Sequence, residues 1–217
     1  MKASPEHSDE ELLRLTAAGD ADAFAALYRR RQAGIYRFAL QMCGSAGIAE
    51  DVTQEVFMTL VRDAQAFDPE RGTLAGYLYG VARNQVLRRL EKERRFVGLA
   101  DETAATGDGR DAPTASAHAV ATDDPLAELA RSELIETVRG AVLALPAHYR
   151  EVVVLCDLHE LSYAEAAAVL GCAVGTVRSR LHRGRALLVE RLREMRPREA
   201  GTAAAAATDF DPLRCFA

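Results

Sequence analysis

The chain has 217 residues, a formal net charge of −5 and 49% hydrophobic residues, with no tryptophan. This length is enough for one or two small domains that each bury a core. The polar, acidic amino terminus has no apolar segment of the kind found in signal peptides, and no apolar run approaches the roughly 20 residues of a membrane span. These features predict a cytoplasmic protein and exclude a membrane from its expected partners.

The cysteine content indicates ordinary thiols. The four cysteines, Cys43, Cys156, Cys172 and Cys215, show no Cys-x-x-Cys spacing, and a reducing compartment disfavours disulfides. Cys156 and His159 have the spacing of half a metal site, but no second half accompanies them. The P-loop and the common hydrolase and zinc-protease motifs are also missing. We therefore expect no metal, no cofactor and no enzymatic activity.

Helical periodicity in the first part of the chain predicts an all-α domain over residues 9–96. Ser8, followed by three acidic residues, is a favourable helix start. One helix is predicted over about residues 49–64 and another over 74–96. The Pro- and Gly-containing stretch between them, residues 67–73, is predicted to be a loop.

The composition changes over residues 97–124, where the periodicity ends. From Val97 to Pro125 the chain holds six acidic residues and one arginine, among many Gly, Ala, Thr and Ser. This composition is typical of a flexible, acidic linker. Because loops of this length are uncommon inside a compact domain, we expect two separately tethered domains.

Helical patterns resume over residues 125–196 and predict a second small domain. Its centre contains Ser162 with Glu165 three residues later, the pattern of a capping box, and then Gly171 as a helix stop. A further helix follows, so two helices and a short Gly-containing turn predict a helix-turn-helix. Residues 197–217, an Ala- and Thr-rich run with a short final segment, are expected to be mostly disordered.

The second helix of this motif has two contrasting faces. Apolar residues recur at helical spacing, and most of the remaining surface carries arginines with Ser179 and His182. In a helix-turn-helix the second helix enters the major groove, where arginine donates two hydrogen bonds to guanine. Arg-rich amphipathic helices are more often ordinary solvated faces, so the periodicity alone leaves both interpretations open. The apolar stripe consists of Val174, Val177, Leu181, Gly184, Leu188 and Leu192.

The distribution of charge favours a nucleic-acid partner although the net charge does not. Residues 83–95 hold six basic and two acidic residues, and residues 178–198 hold eight arginines and two acidic residues. Because salt screens charges within roughly 10 Å, a local basic stripe matters more for phosphate binding than the total charge. Two basic segments therefore flank the acidic linker.

Three longer stretches resemble a known family. The sequence LPAHYREVVVLCDLHELSYAEAAAVLGCAVGTVRSRLHRGRALL, residues 145–188, is similar to the −35-reading domain of extracytoplasmic-function sigma factors of bacterial RNA polymerase. AEDVTQEVFMTLV, residues 49–61, resembles their polymerase-binding helix. FDPERGTLAGYLYGVARNQVLRRLEKERR, residues 67–95, resembles the segment that melts and reads the −10 element. The resemblance covers both domains in family order, and it implies a non-catalytic subunit that selects promoters.

The resemblance also implies partners and residue roles. The partners are core RNA polymerase, through its β′ clamp helices and β flap, promoter DNA and, for many members, an anti-sigma factor. The resemblance assigns polymerase binding to Asp51, Gln54, Glu55, Phe57 and Met58, with Phe57 either an anchor or a core residue. It assigns contact with the −35 element to Arg150, Ser162, Thr176, Arg178, Ser179, His182 and Arg183.

It assigns reading and melting of the −10 element to Arg71, Thr73, Tyr77, Tyr79, Arg83, Asn84 and Arg88. Tyr77 and Tyr79 are equally compatible with a core position.

A stand-alone helix-turn-helix regulator is the alternative interpretation. Such a protein would bind DNA without polymerase and would have no use for Gln54 or Glu55, so the motif at residues 49–61 argues against it. Three positions depart from the family pattern within the second domain, and one of them is Ala173, which stands where proline or serine is usual. Ala166 stands where isoleucine is favoured, and Gly184 stands where alanine is usual, at a cost of about 1 kcal/mol in helix propensity.

Overall fold

The computed structural model describes residues 7–100 and 125–195, apart from the side chains of residues 71, 93–100, 125–128 and 130. Every regular element in these ranges is helical, which confirms the all-α fold class. The greater part of the predicted linker, residues 101–124, and the predicted tail, residues 197–217, lie outside the described residues. None of the helices described is both long enough and apolar enough to cross a membrane.

Four helices form the amino-terminal half. They are α1 (Asp9–Ala17), α2 (Ala21–Cys43), α3 (Ala46–Arg62) and α4 (Leu74–Ala100), with short 3-10 turns at Ala64–Ala66 and Pro69–Arg71 between the last two. The predicted start of α1 is confirmed, because the Ser8 side chain accepts a hydrogen bond from the Glu11 backbone N–H at 3.2 Å. Helix α4 continues four residues beyond the predicted end at Phe96.

The core of this half lies between α2, α3 and α4. Its largest fully buried side chains include Leu27, Phe38, Val52, Val56, Leu60 and Leu78. Helix α1 is fastened to α2 by the buried Asp9 carboxylate, which pairs with both Arg30 and Arg31. A buried carboxylate is tolerated when cations and hydrogen bonds compensate its lost hydration, as these two guanidinium groups do.

The carboxy-terminal half contains α5 (Pro125–Leu143), α6 (Ala147–Val153), a π-helical turn at Val154–Leu158, α7 (Tyr163–Leu170) and α8 (Val174–Met195). Helices α7 and α8 form the predicted helix-turn-helix. The capping box at the start of α7 is confirmed, with reciprocal hydrogen bonds between Ser162 and Glu165. Gly171 ends α7 in the left-handed conformation, with a φ of 63°, which glycine adopts without steric cost.

The apolar stripe of α8 faces the core much as its periodicity predicts. Val177, Leu181 and Leu188 are buried, whereas Val174 at the start of the helix is exposed. Gly184 is also buried, and a Cβ atom at this position would lie 2.9 Å from Val153 Cγ2. The glycine therefore has a packing role beyond its propensity cost, because it lets α8 approach α6 closely.

The two halves pack against each other. Helix α2 contacts α5, α6 and the π-helical turn, and α4 contacts α7. At one edge of the contact the Leu143 side chain packs against the backbone of Gly44. A Cβ atom added at Gly44 would lie 3.0 Å from Leu143 Cδ1. The sequence led us to expect domains connected only by a tether, whereas the structure places their surfaces in direct contact.

Candidate nucleic-acid and polymerase interfaces

One face of α8 presents most of the predicted −35 contact residues to solvent. Arg178, Ser179, His182 and Arg183 are exposed, and Thr176 is half-buried near the start of the helix. The residues share this face because the opposite side of α8 is held against α6 and α7. A rigid helix with projecting guanidinium and imidazole groups is suited to hydrogen bonding with base edges and phosphates.

Two contacts orient the arginines at the ends of this face. The Arg178 guanidinium carbon lies 5.7 Å from the centre of the Tyr163 ring, a cation–π contact between α8 and α7. Arg185 instead pairs with the buried Asp157 carboxylate, with its Nε donating over 3.0 Å. This hydrogen bond raises the pKa of Arg185. Arg185 thus holds α8 against the π-helical turn.

The other two predicted −35 residues have different surroundings. Ser162 is exposed, and its hydroxyl donates to Glu165 over 2.7 Å within the capping box. Arg150 faces inward and donates to the backbone carbonyls of Leu145 at 3.0 Å and of Met42, in the other half of the molecule, at 2.6 Å. Cations at helix carboxy termini are stabilised by the unpaired carbonyl groups there. The arrangement gives Arg150 a packing role in this state, and its predicted phosphate contact stays a prediction.

The predicted −10 residues lie along α4 and at its start. Asn84 and Arg88 are exposed, and Tyr77 is half-buried with its ring centre 5.8 Å from that of Phe67. Burial, and secondarily the Asp63 carboxylate, raise the pKa of Tyr77. Thr73 is exposed and begins α4 by accepting a hydrogen bond from the Gly76 N–H. The side chain of Arg71, also predicted, lies outside the described residues.

Tyr79 is only 9% exposed and contacts the other half of the molecule. Its hydroxyl lies 2.9 Å from His159 Nδ1, and His159 Nε2 lies 2.9 Å from Gln41 Oε1. Because the amide oxygen only accepts, Nε2 carries the proton and Nδ1 accepts from the Tyr79 hydroxyl. Burial, with a smaller effect of the Arg37 cation, lowers the pKa of His159 to about 4. Burial raises the pKa of Tyr79, partly opposed by Arg31 and Arg37.

Arg83 also contacts the other half. Its Nε donates to Glu151 Oε1 at 2.9 Å and one terminal nitrogen donates to Oε2 at 3.2 Å, a bidentate pair. Glu151 is 5% exposed, so this carboxylate has little access to water. The predicted contact of Arg83 with the phosphate backbone therefore requires this pair to separate.

A cleft of about 510 Å³ lies where α4 faces α7. Its walls include Phe67, Tyr77 and Asn84 on one side and Glu165 and Val169 on the other. The Thr73 hydroxyl donates to Glu165 Oε1 at 2.9 Å across the two sides. Hydrogen bonds from Ser162, and a weaker one from Thr73, lower the pKa of Glu165.

An apolar groove runs along the outer face of α3. Its walls combine the exposed Gln54, Met58 and Val61 with Phe24 of α2 and Gly19 from the turn before it, around a volume of about 580 Å³. Met58 is 60% exposed, an unusual position for a large apolar side chain. The groove has the shape and polarity needed to receive an apolar helix edge.

The remaining predicted polymerase-binding residues divide between core and surface. Phe57 is buried, with its ring centre 4.7 Å from that of Tyr28 in an aromatic cluster, so it is a core residue. Asp51 is exposed and pairs with Arg89 of α4 at 2.7 Å. Glu55 is half-buried.

The Cys156 and His159 spacing does not bring together a metal site. No group of three potential ligands occurs within residues 7–100 and 125–195. Both ring nitrogens of His159 have hydrogen-bonding partners. Burial, with a further effect from Asp157, raises the pKa of Cys156 to about 11, so its thiol stays protonated at neutral pH.

Sequence reasoning missed the residues that join the two halves. Gln41, Glu151, His159 and Glu165 each bond a predicted −10 residue or one of its partners across the contact. Of these residues, only Glu151 could have been recognised from its local sequence. It stands next to the apolar run at residues 152–155, and a carboxylate that is buried there needs a cationic partner. Val61 was also missed as a groove residue, although it follows Met58 at helical spacing.

Comparison with known proteins finds one family along most of the described chain. Residues 27–96 match the model of Sigma-70 region 2, and residues 135–188 match that of Sigma-70 region 4. The chain is 34% identical to the ECF RNA polymerase sigma factor SigW of Bacillus subtilis over 177 residues, covering 82% of this chain and 92% of the relative.

Two solved structures have the same fold. One is the sigma factor RpoE of Bartonella quintana in complex with the anti-sigma factor NepR, with a TM-score of 0.62 and 25% identity over 80% of this chain and 98% of that one. The other is CnrH in complex with the cytosolic domain of CnrY, with a TM-score of 0.61 and 27% identity over 87% of this chain and 99% of that one.

Proposed function

Because the chain belongs to the extracytoplasmic-function family of RNA polymerase sigma factors, which direct transcription initiation, we propose a role for each of its exposed surfaces. The groove on α3 binds core polymerase, α8 reads the −35 element as duplex, and α4 reads the melted −10 element. The observation that carries this proposal is the presence of an apolar docking groove and a projecting basic recognition helix on the same chain.

The groove supplies the polymerase contact. Met58 and Val61 provide apolar area that is already exposed, and Gln54 and Asp51 provide polar groups at its rim. Interfaces commonly combine such an apolar centre with a polar rim. The partner surface is the β′ clamp helices. Phe57 lines the groove and supports it from the core, where it is 2% exposed.

The recognition helix supplies sequence reading. Arg178, His182 and Arg183 hydrogen-bond base edges or phosphates in the major groove. Thr176 in the first turn of α8 and Ser179 in the second add hydroxyl groups to the same face. The start of α7 at Ser162 lies against the phosphate backbone, and Arg150 joins it when the two halves separate.

The α4 surface holds unpaired bases. Tyr77 and Tyr79 offer rings for stacking, Asn84 offers donors and acceptors, and Arg83 and Arg88 follow the phosphates. Arg71 and Thr73 contact the strand near the start of the helix. Stacking recovers much of the few kcal/mol that extruding a base costs.

Further partners follow from the same assignment. The second domain contacts the β flap of the polymerase, and an anti-sigma factor is a regulatory partner. The sigma factor RpoE of Bartonella quintana is bound to the anti-sigma factor NepR in its solved structure. The chain is non-catalytic, because the polymerase carries out the chemistry. It acts in the cytoplasm, where the polymerase and promoter DNA are found.

Run-off transcription tests this proposal. Purified bacterial core polymerase is given the chain and a library of genomic promoter fragments, with reactions that omit the chain as controls. We expect specific transcripts that require the chain and whose start sites define both promoter elements. Duplex DNA binding without any dependent transcript would contradict the proposal and support a stand-alone regulator.

A further inference from the structure

The apolar groove on α3 contains an oxidisable side chain at a highly exposed position. The Met58 side chain is 60% exposed, and the neighbouring apolar residue Val61 is exposed as well. Among the described residues that line the groove, Met58 alone contains sulfur. Peroxides oxidise a methionine thioether to the sulfoxide, which is a polar group. The groove therefore combines an apolar docking surface with a site of possible covalent modification.

Exposure distinguishes Met58 from two other methionines of the described chain. Met42 is 1% exposed in the core, so its sulfur is shielded from solvent. Met195 is 45% exposed, but it lies at the end of α8 and does not line the groove. Because oxidation follows the access of the sulfur to solvent, Met58 and Met195 should react before Met42. Of these three residues, only Met58 lies on the proposed polymerase contact.

The polar neighbours of Met58 suit an oxidised side chain in the free protein. Gln54 lies four residues before Met58 on α3 and Arg62 four residues after it, so both are adjacent to it on the helix surface. Both are exposed and line the groove. Their amide and guanidinium N–H groups are donors within one helical turn of a sulfoxide oxygen. Since the Met58 side chain is exposed and not part of the core, its oxidation should leave the helices folded.

Oxidation and docking oppose each other at this position. The thioether offers a polarisable, adaptable apolar surface to a partner helix. The sulfoxide oxygen accepts hydrogen bonds from water, and it loses them when an apolar helix edge covers the groove. The reduced chain is therefore expected to dock more tightly than the oxidised chain.

We propose that Met58 is a redox-sensitive modification site, where oxidation by hydrogen peroxide weakens the docking of core polymerase and enzymatic reduction restores it. In the forward step the Met58 sulfur forms a bond to one peroxide oxygen as the O–O bond breaks. The sulfur loses two electrons, and the second oxygen leaves as water. In the reverse step a methionine sulfoxide reductase returns two electrons from a pair of thiols, which become a disulfide, and the oxygen leaves as water. The inference rests on the proposed function, because the groove must be the polymerase contact.

Peptide mass spectrometry and fluorescence anisotropy test the proposal together. The full chain is treated with dilute hydrogen peroxide and then with dithiothreitol, which reverses disulfides and sulfenic acids at cysteines. We expect sulfoxide at Met58 and Met195 before Met42, and a loss of affinity for labelled core polymerase of about tenfold that persists after dithiothreitol. Treatment with methionine sulfoxide reductases specific for each sulfoxide epimer should restore the affinity.

Two leucine variants locate the effect, each compared with its own untreated form. Met58→Leu keeps an apolar side chain without sulfur, so its affinity for polymerase should no longer respond to peroxide. Met195→Leu is the matched control, because it removes an exposed methionine outside the groove, and its affinity should respond as that of the unaltered chain does.

Full oxidation of Met58 with unchanged polymerase affinity would overturn the proposal. An equal loss of affinity in peroxide-treated Met58→Leu would also overturn it, as would oxidation of Met42 as fast as that of Met58. The proposed function fails differently, through the absence of dependent transcripts with the untreated chain. Dependent transcripts from the untreated chain, together with an affinity that does not respond to Met58 oxidation, would remove the redox site alone.

Discussion

The two proposed DNA-reading surfaces differ in their accessibility. The recognition face of α8 is exposed, with Arg183 and His182 projecting into solvent, whereas Tyr79 and Arg83 of α4 are covered by the second domain. The difference matches the chemistry of the two targets. Duplex DNA is read by a rigid helix whose polar side chains are well hydrated when free. Unpaired bases need partly apolar, aromatic surfaces, which are more stable when covered.

Blocking the groove on α3, which is lined by exposed apolar residues, should have the strongest effect. Met58→Asp places a charge in the apolar contact with polymerase and should weaken association by about 2–4 kcal/mol, the range of an interface hot spot. Fluorescence anisotropy with labelled core polymerase measures this. Leu129→Asp is the matched control, because Leu129 is 58% exposed but lies on α5, outside the groove.

An equal loss of polymerase affinity for both aspartate variants would contradict the assignment of the groove. Loss for Met58→Asp alone would separate docking from DNA reading, because no proposed DNA contact lies in the groove.

Acidification should weaken the contact between the two halves. While the halves are in contact the pKa of His159 is lowered to about 4, and on their separation it returns towards its ordinary value of 6.5. Protonation therefore favours separation, and the contact loses stability as pH falls from about 6.5 to about 4. Between pH 7 and pH 5 the equilibrium should shift by about 20-fold towards separated halves.

The charged and titratable neighbours of His159 support this direction. The Arg37 cation of α2 disfavours a positive charge on the His159 imidazole while the halves are in contact. The Tyr79 hydroxyl of α4 stays protonated over this pH range because its pKa is raised. Small-angle X-ray scattering measures the shift between pH 7 and pH 5 as an increase in the radius of gyration. His159→Gln keeps hydrogen-bonding capacity without a titration, so it should remove the pH dependence; the same dependence in this variant would assign the opening to another group.

Shortening an arginine on the exposed face of α8 should weaken duplex binding without affecting the covered residues of α4. Arg183→Ala should cost about 1–3 kcal/mol of −35 affinity if the guanidinium contacts a base. The loss should be equal for the free chain and for the polymerase-bound chain, because Arg183 is exposed before polymerase binds. Arg191→Ala, on the same helix and paired with Glu194, is the control. Unchanged promoter affinity for Arg183→Ala would remove this residue from the reading face.

The smallest expected effect concerns the support of the recognition helix. Gly184→Ala gains helix propensity but brings a methyl group to 2.9 Å from Val153 Cγ2, so we expect a net loss of about 1 kcal/mol in the free energy of unfolding. Urea unfolding measures it. Gly175→Ala has no neighbour within 4 Å of the added carbon and should be neutral or stabilising; a stabilised Gly184→Ala would show that α8 and α6 are not tightly packed.

Sequence reasoning succeeded where local pattern determines structure. The capping box at Ser162, the stop at Gly171 and the buried stripe through Val177 and Leu181 all follow from spacing within a few residues, and the structure confirms them. The face of α3 turned to the core, with Val52, was likewise visible as periodicity.

Contacts between distant residues could not be predicted in the same way. Tyr79 and His159 are 80 residues apart, and Arg83 and Glu151 are 68 apart. Periodicity shows that a residue is polar or aromatic, but not whether water or a second domain covers it. Gly184 is a second example, at shorter sequence separation. The sequence predicts its low helix propensity, but it does not predict its close approach to Val153.

Side-chain footprinting by hydroxyl radicals measures the difference in accessibility between α4 and α8, because tyrosine and histidine both react and one of each lies on these surfaces. The free chain and its complex with core polymerase are oxidised without DNA, and the modification rates of Tyr79 and His182 are compared. We expect slow oxidation of Tyr79 and fast oxidation of His182 in the free chain, and faster oxidation of Tyr79 in a complex in which the two halves separate. Fast oxidation of Tyr79 in the free chain would contradict this difference in accessibility.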